Sequence, residues 1–141
     1  MIFQKILVIA SLCSVMNIGS AECKNIPDSV NYAFNLPNEI VKALVNGDAK
    51  AVGKHFNLSV ELIFSENQGV YGKSQAELIL RNFFNNNASP TGKFNYKHLH
   101  GSERDNAQYY IGELHTGKGL YRVTLYMKDQ LIYRVRIESN D

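Results

Sequence analysis

The spacing of apolar residues changes from a helical to a strand period near residue 93. From Pro37 onward, apolar residues recur three and four positions apart, which is typical of a helix that buries one face. Asn46-Gly47 ends this helix, and Asp48 can cap a second, short helix that ends near Asn57. The apolar positions are Ile40, Val41, Ala43, Leu44 and Val45 in the first helix, and Ala49, Val52 and Phe56 in the second.

A strand and a third helix follow. Ser59 to Phe64 alternates like a strand, and Glu66 to Gly72 is predicted to be a turn. Ser74 and Glu77 have the spacing of a capping box, which marks the start of a helix. The predicted inner face of this helix consists of Ala76, Ile79, Leu80, Phe83 and Phe84.

Beyond Lys93 the chain alternates with the period of strands, interrupted by turn residues. Strands joined by short turns form an antiparallel meander, so the chain is predicted to be an α+β domain with its helices on one sheet face. The predicted strands are Phe94 to His100, Gln108 to His115, Leu120 to Met127 and Leu131 to Glu138.

Burial of charge decides the predicted register of the last two strands. Pairing Met127 with Leu131 across a three-residue loop places Val135 and Ile137 inside, whereas a two-residue loop would bury arginines at a cost of several kcal/mol. The preceding hairpin pairs Leu114 with Tyr121 and Tyr110 with Leu125, and it sets Glu113 opposite Arg122 as an ion pair. Gly112 then lies on the inner face, where it would let a helix approach closely.

The first 21 residues have the three parts of a secretory signal peptide. Lys5 supplies the basic start, residues 6–18 are almost entirely apolar, and Gly19 and Ala21 precede a cleavage site after Ala21. Residues 22–35 are then a leader, and residues 36–139 form the domain. The mature chain contains no second long apolar run, so we expect an exported protein, periplasmic or secreted, without a transmembrane segment.

Cleavage also changes the charge and the cysteine content. Loss of Lys5 leaves 14 basic and 13 acidic residues, a net charge of +1, which argues against nucleic acid as a partner. Cys13 is removed with the signal, so Cys23 is either a free thiol or forms an intermolecular disulfide.

Two segments resemble a known class of domain. Ala43 to Ala49, followed by His55-Phe56 and the strand at Val60 to Leu62, is similar to the start of nuclear-transport-factor-2-like domains. Gly69 to Phe84 resembles a family of short exported Bacteroidetes proteins that is known only as a domain of unknown function. The resemblance covers about residues 35–138.

This resemblance implies a cystatin-like cone, in which a curved antiparallel sheet of four to six strands wraps around about three helices. It also implies a pocket at the open end and frequent homodimers through the outer sheet face. The superfamily includes ketosteroid isomerases, dehydratases and proteins without catalysis, so fold does not decide function.

The predicted inner face contains no carboxylate, so His98 is the one candidate for a catalytic base. A satisfied core histidine is the plainer interpretation. His98 and His100 are expected on one face of their strand but lack a third ligand, so we expect no metal, and no motif indicates another cofactor. Val70 and Tyr71 are expected to plug the cone. The predicted pocket residues are Tyr71, Phe83, Tyr96, His98, Tyr110, Tyr121 and Tyr133.

The outer face mixes charges with more aromatic side chains than solubility requires. It is either a half-polar exposed sheet or a surface for self-association, in which tyrosine and arginine are enriched. We therefore expect a non-catalytic module that binds a small apolar ligand or assembles as a homodimer. The alternative is an enzyme like a ketosteroid isomerase or dehydratase. The predicted interface residues are Tyr109, Ile111, Arg122, Tyr126, Ile132, Arg134 and Arg136.

Overall fold

A computed structural model describes residues 34–65 and 67–140. The predicted signal peptide, its cleavage after Ala21, the thiol of Cys23 and the leader up to residue 33 lie outside these residues. Among the described residues, no helix is long and apolar enough to cross a membrane.

The two helices of the N-terminal part form as the apolar spacing predicts, except at the end of the second. Helix α1 spans Asn38–Val45 and helix α2 spans Ala49–Gly53. The side chain of Asp48 caps α2 by accepting a hydrogen bond from the amide of Ala51 at 3.0 Å. Phe56 is buried as predicted, but it begins strand β1 (Phe56–Phe64) instead of continuing α2.

The segment predicted to be a turn before the third helix is a strand. Strand β2 (Asn67–Gly72) pairs antiparallel with β1 and forms one edge of the sheet. Helix α3 then spans Lys73–Asn86 with Gly72 as its N-cap and no side-chain cap, so the predicted capping box is not formed. Glu77 instead pairs with Arg81, one turn further along the helix, at 2.7 Å.

Four long strands complete a six-stranded sheet in the order β2-β1-β6-β5-β4-β3. The predicted meander is confirmed, because each of these strands is antiparallel to the next. The β1–β6 pair is parallel, which makes the curved α+β sheet mixed where the sequence predicted an antiparallel one. The strands are β3 (Asn95–Arg104), β4 (Ala107–Thr116), β5 (Gly119–Lys128) and β6 (Leu131–Ser139).

The register between β5 and β6 differs from the predicted one, because β6 contains a bulge. The loop has two residues, so Met127 pairs with Ile132 and not with Leu131. An extra residue, Tyr133, then shifts the register so that Val135 still faces inward opposite Leu125. Ile132 is therefore fully buried in the core, whereas the sequence placed it on the outer face. The bulge keeps the arginines out of the core despite the short loop.

The predicted register between β4 and β5 is confirmed, with Leu114 opposite Tyr121 and Glu113 opposite Arg122. Those two charged side chains form no ion pair of 4.0 Å or less in the described part of the chain. Gly112 is buried, but the ring of Tyr96, not a helix, covers it: a Cβ at Gly112 would lie 2.4 Å from that ring.

Apolar side chains of the three described helices fill the concave face of the sheet. At the end of the sheet beside the C-terminus of α3, aromatic rings pack against one another in tilted and edge-to-face arrangements. Phe83 is central there: its ring centroid lies 5.2 Å from that of Tyr121, 5.6 Å from that of Phe64 and 5.8 Å from that of Phe84. This end of the domain is a filled core.

Candidate functional site

Two hairpin turns lie at the other end of the sheet. Asp105 and Asn106 join β3 to β4, and Asp129 and Gln130 join β5 to β6. All four residues have φ between 50° and 64°, as two-residue turns of type I′ require. Because alternate turns of a meander fall at the same end of a sheet, both turns project beside each other.

The start of α1 and the α2–β1 junction close the other side of this region. The amide of Ile132 donates a hydrogen bond of 2.7 Å to the carbonyl of His55, which fixes the β5–β6 hairpin against the junction. Nε2 of His55 lies 3.8 Å from Oε2 of Glu39 in the first turn of α1. Glu39 is largely exposed, so this contact is screened by solvent.

These elements enclose a cavity of about 510 Å³, a volume within the range of small-molecule sites. Its buried wall is formed by Tyr110 and Met127, which are 6% and 3% exposed. The rest comes from both turns, from β3 and β4 beside them, from the α2–β1 junction and from the start of α1. The lining residues are Pro37, Glu39, His55, Glu103, Asn106, Gln108, Tyr110, Met127, Asp129 and Gln130.

The cavity has an acidic lining and a tyrosine hydroxyl that no protein group binds. Glu39, Glu103 and Asp129 contribute three carboxylates, and the lining contains no lysine or arginine. The hydroxyl of Tyr110 makes no hydrogen bond within the described residues. Burial and then the nearby carboxylate of Glu103 raise the pKa of Tyr110, so the phenol stays neutral.

Of the predicted pocket residues, Tyr110 alone lines this cavity. Tyr96 lies on the inner face with its ring over Gly112, and burial raises the pKa of Tyr96 to about 12. His98 lies opposite Gly112, with its ring centroid 6.4 Å from that of Tyr110. Its Nδ1 is buried without a partner, and burial, followed by the effect of His100, lowers the pKa of His98.

The other predicted pocket residues lie elsewhere in the fold. Tyr121 and Phe83 belong to the filled aromatic core. Tyr71 packs against the core on the edge strand, with its hydroxyl over Gly69. Tyr133, the bulge residue, has its ring centroid 6.2 Å from that of Tyr126 on the outer face, so it does not face the interior.

The prediction that His98 and His100 share one face of β3 is also wrong. A bulge at Leu99 sets His98 opposite Gly112 and His100 opposite Ile111, and these partners lie on different faces of the sheet. In the part of the chain that the structure describes, no three histidine, cysteine or acidic residues converge closely enough to hold a metal ion. Val70, which was expected to plug the cone, is 69% exposed on the outer face.

The outer face presents rows of side chains that cross the strands in register. Tyr126 is central in one row, with its ring centroid 4.9 Å from that of Tyr109. Beside it Arg134 donates a hydrogen bond to Glu61, and this bond lowers the pKa of Glu61. We call this the tyrosine row: Val70, Glu61, Arg134, Tyr126, Tyr109 and Ser102.

A second row on the outer face alternates in charge. It contains Glu138, Arg122, Glu113 and Lys97 on four successive strands, and we call it the charge row. Between the two rows lies a mixed one that ends at Ile111 and His100. The predicted interface residues Tyr109, Ile111, Arg122, Tyr126, Arg134 and Arg136 all lie on this face, and Ile132 does not.

Most of the cavity was not predicted, because the predicted pocket residues lay on the inner face of the sheet. The polar lining comes from turns, strand ends and helix termini, where charged residues are normally interpreted as solvated. A signal existed: the turns at Asp105-Asn106 and Asp129-Gln130 fall at the same end of any meander with this strand order. The position of Glu39 beside them depends on how α1 packs, which no local pattern shows.

The fold defined by this sheet and its helices is nuclear-transport-factor-2-like. A solved structure of an NTF2-like protein of unknown function from Cytophaga hutchinsonii matches 73% of this chain and 85% of its own, with a TM-score of 0.52. Since the two sequences are only 13% identical, this likeness concerns the fold alone.

The particular family follows from the sequence. The model of the domain of unknown function DUF4783 matches residues 37–139, and the chain belongs to this family. The crystal structure of a family protein from Bacteroides ovatus is 26% identical, with a TM-score of 0.67 over 75% of this chain and 96% of that one. A second, from Bacteroides uniformis, is 28% identical, with a TM-score of 0.66 over 76% and 99%. No curated protein matches the chain.

Proposed function

We propose that the protein is an exported small-molecule-binding module whose ligand occupies the cavity between α1 and the two hairpin turns. The observation that carries this proposal is the cavity itself: about 510 Å³, with a buried apolar wall and an unpartnered hydroxyl at Tyr110. A few convergent polar groups on an apolar wall are typical of ligand sites. Export rests on the signal-like N-terminus of the sequence.

The test is to map the binding of a mixture of small fragments through the backbone amide NMR shifts of the protein. We expect the shifts to cluster on the cavity residues of β4 and β5. Gln108→Trp should abolish them, because Gln108 lines the cavity and an indole would fill it. Lys118→Trp is the control, since Lys118 lies in the turn at the opposite end of the sheet. Shifts unchanged by Gln108→Trp, or absent from the cavity, would contradict the proposal.

A second proposed role is assembly as a homodimer through the outer face. The charge row supports it, because four alternating charges complement their own reversed copy. A two-fold axis along the strands, between β4 and β5, sets Arg122 against Glu113 of the second copy and Glu138 against Lys97. The same axis sets Tyr126 against Tyr109 of the second copy. One surface thus brings opposite charges and aromatic rings together.

A charge swap tests this assembly. Arg122→Glu alone and Glu113→Arg alone place like charges against each other across the proposed axis, so each should weaken the dimer. The double variant restores complementarity and should restore the dimer. Molar mass by light scattering measures the outcome, with the thermal midpoint as a check on folding. A wild-type protein that remains monomeric at high micromolar concentration would exclude the dimer.

The enzymatic alternative would now use different residues from those expected. His98 is absent from the cavity lining, but the lining contains Glu103 beside the neutral phenol of Tyr110. A carboxylate base and a phenol donor in one cavity are the groups that a proton-transfer enzyme needs. Deuterium exchange next to the carbonyl of a cyclic ketone is the test. Exchange that is lost in Glu103→Gln would support catalysis, and background exchange would exclude it for that substrate class.

A further inference from the structure

The lining of the cavity differs in charge from the rest of the protein. The chain has a net charge of +2, yet the cavity is lined by three carboxylates and no lysine or arginine. His55 is the one residue of the lining that can become cationic, and it already lies 3.8 Å from Glu39. A negative concavity in a basic protein concentrates positively charged ligands and repels anions.

We propose that the ligand of this cavity is a small organic cation, an ammonium or guanidinium group on an apolar body. This inference rests on the proposed ligand-binding function and specifies its chemistry. The apolar body would pack against Met127 and the ring of Tyr110, which form the buried wall. The cationic head would lie toward Glu103 and Asp129, two of the three acidic residues of the lining.

The hydroxyl of Tyr110 supports this assignment independently of the carboxylates. Tyr110 is 6% exposed and lines the cavity, and its hydroxyl makes no hydrogen bond within the described residues. A phenol oxygen can accept a hydrogen bond from the N–H of a ligand. The raised pKa of Tyr110 keeps the hydroxyl protonated, so it meets the ligand as a neutral hydrogen-bonding group.

The spacing of the carboxylates argues against a metal ion as the cation. Among the described residues, no three potential ligands converge on one point, as a bound metal requires. Carboxylates spread around a cavity of about 510 Å³ instead suit an extended organic cation that fills it.

The experiment compares three compounds that share one indole ring: tryptamine, which is cationic, tryptophol, which is neutral, and indole-3-acetate, which is anionic. Titration of each, followed by amide NMR shifts, gives both the site and the affinity. We expect tryptamine to bind in the cavity at least about fivefold more tightly than tryptophol, a preference that falls as salt is added. Indole-3-acetate should bind most weakly.

Single substitutions test which side chains cause the preference for a cationic ligand. Glu103→Gln should weaken tryptamine by about threefold or more and leave tryptophol nearly unchanged, because it removes a charge and keeps the shape. Tyr110→Phe should weaken tryptamine while the fold is kept. Glu77→Gln is the matched control, since it makes the same charge change on α3, away from the cavity.

The outcomes separate this inference from the proposed function. Equal or tighter binding of tryptophol or indole-3-acetate in the cavity would overturn the cation preference and leave the cavity as a ligand site. An unchanged tryptamine affinity in Glu103→Gln would overturn the role of that carboxylate. If neither the three compounds nor the fragment mixture shifts the cavity residues, both the inference and the proposed function fail.

Discussion

The hydroxyl of Tyr121 donates a hydrogen bond to Oδ1 of Asn87 at 2.9 Å. Asn87 is the C-cap of α3, and its Nδ2 donates to the carbonyl of Phe83 at 2.8 Å. Its own carbonyl accepts from the amide of Gly117 in the β4–β5 turn. Asn87, which is 7% exposed, thus joins the end of α3 to strand β5 and to the β4–β5 turn. The hydroxyl of Tyr121 therefore has a structural role.

Asn87→Ala should destabilise the protein by about 2 to 3 kcal/mol, because two part-buried hydrogen bonds lose their partner at once. Tyr121→Phe removes one of these bonds and keeps the ring in the aromatic core, so we expect a loss of about 1 kcal/mol. Urea unfolding measures both variants. Equal losses of stability in the two variants would show that the hydrogen bond from Asn87 to the carbonyl of Phe83 adds nothing to the hydrogen bond from Tyr121.

Gly112→Ala should destabilise by about 1 to 3 kcal/mol, since its Cβ would lie 2.4 Å from the ring of Tyr96. Adding Tyr96→Leu should recover part of the loss, because the smaller side chain vacates the space above Gly112. Gly72→Ala is the steric control: no atom lies within 4 Å of a Cβ there, so its loss should be limited to that of a less favourable N-cap, about 1 kcal/mol or less. Strictly additive effects of the Gly112 and Tyr96 changes would exclude this contact.

Ile132→Ala should cost about 2 to 5 kcal/mol, because Ile132 is fully buried opposite Met127. Leu131→Ala should cost much less, since Leu131 is only partly buried at the start of the strand. Thermal and urea unfolding of the two variants compare the observed register with the one expected from the sequence. A larger cost at Leu131 would favour the expected register.

The pKa of Tyr96, raised to about 12, predicts a loss of stability in alkali. Burial disfavours the phenolate in the folded state only, so the contribution is complete below about pH 10 and declines as the pH rises toward 12. Tyr96→Phe lacks this ionisation. Between pH 9 and 12, wild type should lose up to about 2 to 3 kcal/mol more than the variant in urea unfolding. If the stability of wild type and of Tyr96→Phe changes with pH in parallel, the raised pKa of Tyr96 is contradicted.

Gln130→Gly should stabilise the fold by about 0.5 to 1 kcal/mol, because Gln130 has a φ of 64°, which glycine adopts at low cost. The same change removes a side chain from the cavity lining. We therefore expect a higher thermal midpoint together with weaker ligand binding. A lower midpoint would show that the side chain of Gln130 stabilises the turn.

Local patterns were sufficient for most of the architecture. Alternation predicted the meander, and the cost of burying Arg134 and Arg136 predicted which face of β6 turns inward. The predicted register was wrong where one extra residue shifts the pairing. With a two-residue loop, the bulge at Tyr133 still turns Val135 and Ile137 inward, which the sequence prediction achieved with a three-residue loop. This bulge was hidden in the sequence, because Leu131, Tyr133, Val135 and Ile137 continue one regular apolar alternation across it.

The candidate site could be predicted only in part, since its residues come from different elements. Tyr110 was found because it lies on the inner face of a strand. Glu39, His55 and Asp129 were not, because each is a polar residue at an element end, and only the tertiary packing brings them together. Two of the aromatic residues expected in the pocket, Phe83 and Tyr121, instead pack against each other at the opposite end of the sheet, where they bury apolar area in the core.

A crystal structure of the protein soaked with the fragment mixture shows whether the cavity binds a ligand. We expect a fragment in the cavity, in contact with Tyr110 and Met127 and bounded by the two hairpin turns. A structure in which protein side chains fill that space, or in which fragments bind only elsewhere, would contradict it.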